Sequence, residues 1–232
     1  MIIFERKPAP LSSCSVEIEE GSIMPRRPRQ GSPTGVYHFI TRGVNKKRLF
    51  HDKKDFQFYM ALMLEYKEKL KIEVYHYCLM SNHTHLLVKS EDLVSLSQFG
   101  HFLQRRYAYY YCKTHHWSEQ VFRSRFLSVS VDTDAYLLEC GRYIERNPLE
   151  AGLVKDLRDY SYSSYLHYAY AQESPLITDS PLYQGLAEKS EERQLIYRFY
   201  ISHDRDNQLP KRKPFRKLHD RKQFNETQPV PF

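Results

Sequence analysis

Ile72-Glu73-Val74-Tyr75-His76-Tyr77-Cys78-Leu79-Met80-Ser81-Asn82-His83-Thr84-His85-Leu86-Leu87-Val88 is the stretch on which the fold turns. Residues 72–80 are rich in the β-branched and aromatic side chains that suit a pleated, half-buried surface, and 84–88 read as a second strand. Ser81-Asn82 leaves room only for a tight turn between them, so the two strands pair antiparallel.

Upstream, Val36-Tyr37-His38-Phe39-Ile40-Thr41 has the same strand composition, and the basic turn Arg42-Gly43-Val44-Asn45-Lys46-Lys47-Arg48 follows it. A helix is expected over 53–70, where Phe56, Tyr59, Met60, Met63, Tyr66 and Leu70 keep the three-four spacing of one buried face. Downstream, Ser95 with Gln98 gives a capping-box signal for a second helix. Its inner face would carry Leu96, Phe99, Leu103, Tyr107 and Tyr110, with Arg105, Arg106 and Tyr109 outside. A strand at 126–131 and a third helix from about Thr133 complete the series; that helix carries Leu137, Leu138, Tyr143 and Ile144 and is expected to break near Asn147-Pro148. The order β-α-β-β-α-β-α predicts an α+β fold, a ferredoxin-like βαββαβ core with an antiparallel sheet and one added helix.

Residues 1–23 lack periodicity and are expected to be a poorly ordered N-terminal extension; Met24 opens a basic arm and would serve as an alternative start. The main domain is expected over 24–168, a helical C-terminal extension over 169–202 with its last helix at about 188–200, and a flexible basic tail over 203–232.

The chain of 232 residues carries a net charge of +7 and a pI near 9.1, a balance that concentrates phosphate polyanions at its surface. Nineteen Tyr accompany one Trp, a load that suits base stacking as well as cores. No run approaches the ~18 apolar residues of a membrane span, and Met1-Ile2-Ile3-Phe4 is too short for a signal-peptide core. Cys14, Cys78, Cys112 and Cys140 form no CxxC pair, which excludes a zinc ribbon and reads as reduced thiols in the cytoplasm.

Two chemical features stand out. On a strand His83 and His85 point to one face with Thr84 turned away, and two adjacent imidazoles suit a divalent metal with coordination positions left open. They suit a polar sheet face equally well. On a helix Tyr143 and Asn147 stand four apart and share a face, one offering a phenol and the other a neutral oxygen; a core tyrosine and a pre-proline asparagine would look the same.

From about 33 to 202 the chain resembles the REP-associated tyrosine transposases, a branch of the single-tyrosine HUH transposases. Leu79-Met80-Ser81-Asn82-His83-Thr84-His85-Leu86-Leu87-Val88 resembles that family's histidine-pair strand. Asp134–Glu139 with Arg142-Tyr143-Ile144 and Asn147-Pro148-Leu149-Glu150-Ala151-Gly152-Leu153-Val154 is similar to its nucleophile helix and exit, and Tyr160-Ser161-Tyr162-Ser163-Ser164-Tyr165 to the short motif that follows. The resemblance implies a metal-dependent enzyme that cuts and rejoins single-stranded DNA beside palindromic hairpins. It implies Tyr143 as nucleophile through a 5′-phosphotyrosine, and His83, His85 and Asn147 as ligands of Mg²⁺ or Mn²⁺. A monomer and a homodimer both stay open, and a cytoplasmic, nucleoid-associated protein is expected.

Three positions depart from that pattern: Thr84 replaces an aliphatic residue, Glu145 stands where a polar or basic residue is usual, and the segment ending Phe122-Arg123-Ser124-Arg125-Phe126 differs in its earlier part. Glu145 lies about 200° round the helix from Tyr143 and is expected away from the metal. Candidate DNA contacts are Arg42, Lys46, Lys47, Arg48, Arg105, Arg106, Arg123 and Arg125, with Tyr109 and Tyr111 as stacking rings. The competing readings are a domesticated hairpin-binding protein with idle chemistry and a hydrolase in which water attacks.

Overall fold

The structure, a computed structural model, describes Arg29 and residues 31–203. The extension expected over 1–23 and, save His203, the tail expected over 203–232 lie outside the described residues.

The elements are β1 (Val36–Arg42), α1 (Lys53–Lys69), β2 (Glu73–Met80), β3 (His83–Lys89), α2 (Leu93–Thr114), β4 (Leu127–Ser130), α3 (Asp134–Glu150), α4 (Tyr165–Tyr170), α5 (Pro181–Gln184) and α6 (Ser190–Ser202). The four strands form one sheet in the order β2-β3-β1-β4, every neighbouring pair antiparallel. This is the expected α+β, ferredoxin-like arrangement, and the side-chain period of two divides its faces. Tyr37, Phe39, Tyr77, Leu79, Leu86 and Val88 point to one face and are buried under α1 and α2. Val36, Tyr75, Cys78, Met80 and Leu87 point to the other and pack against Leu137, Cys140 and Ile144 of α3. α3 approaches β2 so closely that a Cβ on Gly141 would meet the His76 ring at 2.7 Å.

The motif Tyr160–Tyr165 closes the outer edge of β2. Leu79 N donates to Tyr162 O and Ser164 N to Tyr77 O, both at 2.9 Å, while the Tyr160 hydroxyl donates to Leu79 O at 2.6 Å. An edge strand with unpaired backbone groups is a pairing hazard, and this segment removes it. The expected boundary at residue 168 falls inside α4, which packs with α5 and α6 in a third cluster around Tyr168, Tyr183 and Tyr197.

Three local expectations are corrected. α2 starts two residues before Ser95: Asp92 is its cap, its carboxylate accepting from Ser95 N at 2.7 Å and Ser95 Oγ at 2.8 Å. Tyr111, not Tyr110, continues the buried stripe of α2 beyond Tyr107; it is 1% exposed and its hydroxyl donates to Arg48 O, so it is no stacking surface for bases. α3 does not break at Asn147-Pro148 but runs on to Glu150. The proline has no N–H for the Ile144 carbonyl; Asn147 Nδ2 donates to that carbonyl instead at 3.2 Å, and to Tyr143 O at 2.7 Å.

Candidate catalytic and metal-binding site

Pairing of β1 with β3 sets Ile40 opposite His85 and Arg42 opposite His83, so both histidines project onto the α3 face. Thr84 turns the other way, buried against Thr41 Oγ1 at 2.8 Å beneath α1. The His83 and His85 rings stand 5.0 Å apart between centroids. α3 brings Tyr143 onto them: its ring lies 5.6 Å from that of His85, with planes at 87°. The two imidazoles and the phenol predicted from separate motifs therefore meet within one chain.

A third imidazole joins them. His38 on β1 is 1% exposed, its Nε2 lies 2.9 Å from His85 Nδ1, and its ring is 6.0 Å from that of Tyr143. Nothing within Val36–Thr41 marks this histidine; the only sequence signal was its place on the strand face shared with Val36 and Ile40.

Each candidate ligand ring has Nδ1 engaged. His83 Nδ1 pairs with Asn82 Oδ1 at 2.6 Å and His85 Nδ1 with His38. Among the described residues no hydrogen bond engages Nε2 of either ring, which leaves that nitrogen of each for a cation. Burial, and then the Arg42 charge, pushes His83 down to about 4; burial pushes His38 down to about 3 and His85 well below its ordinary value. Neutral imidazole is the form that ligates metal, so these rings fit a divalent cation at any pH above the acid range.

Asn147 lies one turn beyond Tyr143. Its Nδ2 is held by backbone carbonyls, which leaves Oδ1 as the atom able to meet a cation. Among the described residues no hydrogen bond or ring contact ties Asn147 to either histidine, so helix geometry alone associates it with the site. Nor do the described residues hold a group of three or more His, Cys, Asp or Glu set for a metal ion. The candidate set is of another kind, two imidazoles and one amide.

The Tyr143 phenol is pushed up, by burial first and by the Glu150 charge second, against a smaller opposite pull from Arg42. At neutral pH it is protonated and a poor nucleophile by itself.

Glu145 stays away from the histidine pair, as expected, and is wholly buried. Its carboxylate meets His76 Nδ1 at 2.9 Å and accepts from the hydroxyls of Ser164 at 2.5 Å and Tyr197 at 2.7 Å. Arg142 donates to the Tyr200 and His203 carbonyls and Arg146 to that of Ile201. These bonds clamp α3 between β2 and α6, and nothing in the sequence pattern disclosed them.

The basic candidates divide. Arg42, Lys46 and Arg123 line a cleft of about 570 Å³ beside Asn82 and His83. Arg123 N donates to Arg42 O at 2.8 Å, which sutures its segment to the end of β1. A Cβ on Gly43 would lie 2.2 Å from Lys47 O, so this turn closes only around glycine. Lys47 Nζ sits 2.9 Å over the Trp117 ring and is thereby turned from the cleft. Arg48 and Arg125 are exposed but do not line it. Arg105 and Arg106 lie with Tyr109, 71% exposed, in a groove of about 610 Å³ at the seam of α1 and α2, across the sheet from the histidines.

No helix among the described residues is long and apolar enough to cross a membrane. A family model for IS200-like transposases matches residues 33–147, about half of the chain, from before β1 to Asn147. No curated protein matches the chain. A solved REP-associated tyrosine transposase bound to a REP hairpin superposes with a TM-score of 0.55 at 15% identity, covering 68% of this chain and 93% of that one. At that identity the likeness speaks to the fold. A transposase candidate from Deinococcus radiodurans covers 52% of this chain and 96% of its own at 16% identity, but its TM-score of 0.37 supports no argument. The matched segment contains the histidine pair, Tyr143 and Asn147, and on that match the chain belongs to the IS200-like transposases.

Proposed function

We propose that this protein is a REP-associated tyrosine transposase that cuts and rejoins single-stranded DNA beside palindromic hairpins, with Tyr143 as nucleophile. The observation that carries the reading is the meeting of three rings inside one chain, Tyr143 at 5.6 Å from His85 and His85 at 5.0 Å from His83. The hairpin-bound transposase with the same fold supports the choice of DNA partner.

In this reading Arg42, Lys46 and Arg123 hold the strand by its phosphates in the cleft next to His83. His83, His85 and Asn147 would hold Mg²⁺ or Mn²⁺, the histidines offering Nε2 and the asparagine Oδ1. The chemistry that such a cation supplies when bound is positive charge, which favours the phenolate and offsets charge building on the phosphate oxygens. Tyr143 Oη bonds to phosphorus as its proton passes to water. The bond from phosphorus to the 3′ oxygen breaks, and that oxygen takes a proton from water to leave a free 3′-OH. The product is a 5′-phosphotyrosine, an ester that a 3′-OH can attack in turn, so rejoining needs no outside energy.

The histidines have no part in moving protons. Held neutral by burial, with Nδ1 occupied, they would serve a bound cation as ligands and not as bases.

The test is incubation of hairpin-bearing single strands with wild-type protein and Mg²⁺ or Mn²⁺, then with EDTA. A cleaved strand and a protein–DNA adduct that both vanish with EDTA are expected. Cleavage without adduct would mean that water attacks, and binding without cleavage on several such strands would leave a hairpin-binding protein.

A further inference from the structure

His38 has no place in the reaction just described, yet it makes the closest polar contact of the His85 ring. β1 and β3 run antiparallel with Ile40 opposite His85 and His38 opposite Leu87, so His38 and His85 are diagonal neighbours on one sheet face. Both are 1% exposed, and Nε2 of one lies 2.9 Å from Nδ1 of the other.

Two neutral imidazoles joined by one hydrogen bond must divide the roles. If His85 Nδ1–H donates to His38 Nε2, the His85 Nε2 carries a lone pair. If His38 Nε2–H donates instead, His85 carries its proton on Nε2 and cannot ligate through it. The His38 tautomer therefore decides whether His85 is a ligand. In many metal sites a carboxylate or backbone carbonyl takes the ligand's second N–H and so fixes tautomer and ring angle. Here an imidazole stands in that position.

We infer that His38 is a positioning residue for metal capture: by accepting a hydrogen bond from His85 Nδ1–H it fixes the His85 ring with Nε2 bare toward the site. The inference rests on the metal-binding reading above and adds to it the group that makes one ligand competent. The Asn82 Oδ1 contact does the same for His83, but Asn82 is adjacent in sequence, whereas His38 comes from a different strand.

The experiment is Mn²⁺ titration of the full chain without DNA, followed by electron paramagnetic resonance. Compared are wild type, His38→Phe, which removes the acceptor, and His38→Gln, which offers an oxygen at similar reach. Loss of the acceptor is expected to weaken Mn²⁺ binding by about 10–100-fold, and His38→Gln to recover most of that loss. His38→Phe binding as tightly as wild type overturns the inference while leaving the metal site intact. Wild type binding no Mn²⁺, or His83→Ala binding it unchanged, overturns the metal site itself and this inference with it.

A readout on the unaltered protein covers the case in which His38→Phe does not fold. Nitrogen NMR of the histidine rings in metal-free wild type is expected to place the His85 proton on Nδ1. A proton on Nε2 contradicts the assignment.

Discussion

The Tyr143 ring stands edge-on to the His85 imidazole, centroids 5.6 Å apart and planes at 87°, although the two residues stand 58 positions apart along the chain (143 − 85). β3 and α3 are brought together by the apolar cluster of Leu87, Cys140 and Ile144, so the packing of one sheet face sets the spacing of phenol and imidazole.

Tyr143→Phe keeps the ring and that packing. It is predicted to abolish DNA cleavage, by more than about 10³-fold, while DNA affinity and melting temperature stay near wild type. Gel assays and a thermal melt measure both. Residual cutting within tenfold of wild type would remove Tyr143 from the chemistry.

His83→Ala and His85→Ala are predicted to lose cleavage and Mn²⁺ binding together, with hairpin affinity retained at low salt. A variant that lost cleavage but still bound Mn²⁺ as wild type would show that the ion sits elsewhere.

Metal-free stability should fall as pH drops through the histidine range. His38 and His83 are held at about 3 and about 4 in the folded chain against an ordinary 6.5, and His85 is lowered as well. Between those values the unfolded chain binds more protons than the native one. The stability is thus present above 6.5 and is lost on acidification toward the folded-state values. Each imidazole contributes at most about 1.4 kcal/mol per pH unit in that window, and less for the partly exposed His83. Urea midpoints at pH 7, 6 and 5 should decline progressively, and His38→Phe should flatten the decline. A flat wild-type profile would contradict the neutral-histidine picture.

Glu145→Ala strips the acceptor from His76, Ser164 and Tyr197 at once. Leaving such buried partners unpaired is predicted to cost roughly 3 kcal/mol, a fall in melting temperature of roughly 6–12 °C for a chain of this size. Calorimetry of the full chain decides it. A shift under about 2 °C would mean that the network does not clamp α3.

Replacing Arg42, Lys46 and Arg123 together by Ala should weaken single-strand binding and reduce its log–log salt slope by about 2, since each phosphate neutralised on a single strand contributes roughly 0.7. Arg105→Ala with Arg106→Ala, across the sheet from the histidines, should leave the cleavage rate of saturated strand unchanged. A drop in that rate would bring the α1–α2 groove into the reaction.

What the sequence disclosed was what local periodicity can carry. The strands and the Ser81-Asn82 turn follow from β-branched and aromatic content and from turn chemistry, and residues two apart on β3 had to share a face. Tyr143 and Asn147 had to share a helix side, although no hydrogen bond or ring contact among the described residues joins Asn147 to the histidines. Partners across the sheet were not legible. His38 becomes a neighbour of His85 only through the β1–β3 register, and Glu145 meets Tyr197 only once α6 has packed. Periodicity does not choose between Tyr110 and Tyr111, because positions three and four beyond Tyr107 both fit a helical stripe. Tyr111 takes the buried place, its hydroxyl donating to the Arg48 carbonyl, while the Tyr110 hydroxyl donates to Asp55. Nor does a proline in the sequence show that α3 runs on past Pro148, where a side-chain amide fills the gap that the proline leaves.

The central claim is that Tyr143 itself becomes joined to DNA. Trapping the adduct on a hairpin-bearing strand with Mn²⁺, digesting protein and DNA, and sequencing the modified peptide by mass spectrometry tests this directly. The account predicts a nucleotide phosphate on the peptide that contains Arg142-Tyr143-Ile144. A phosphate on any other tyrosine, or cleaved DNA with no modified peptide, would contradict it.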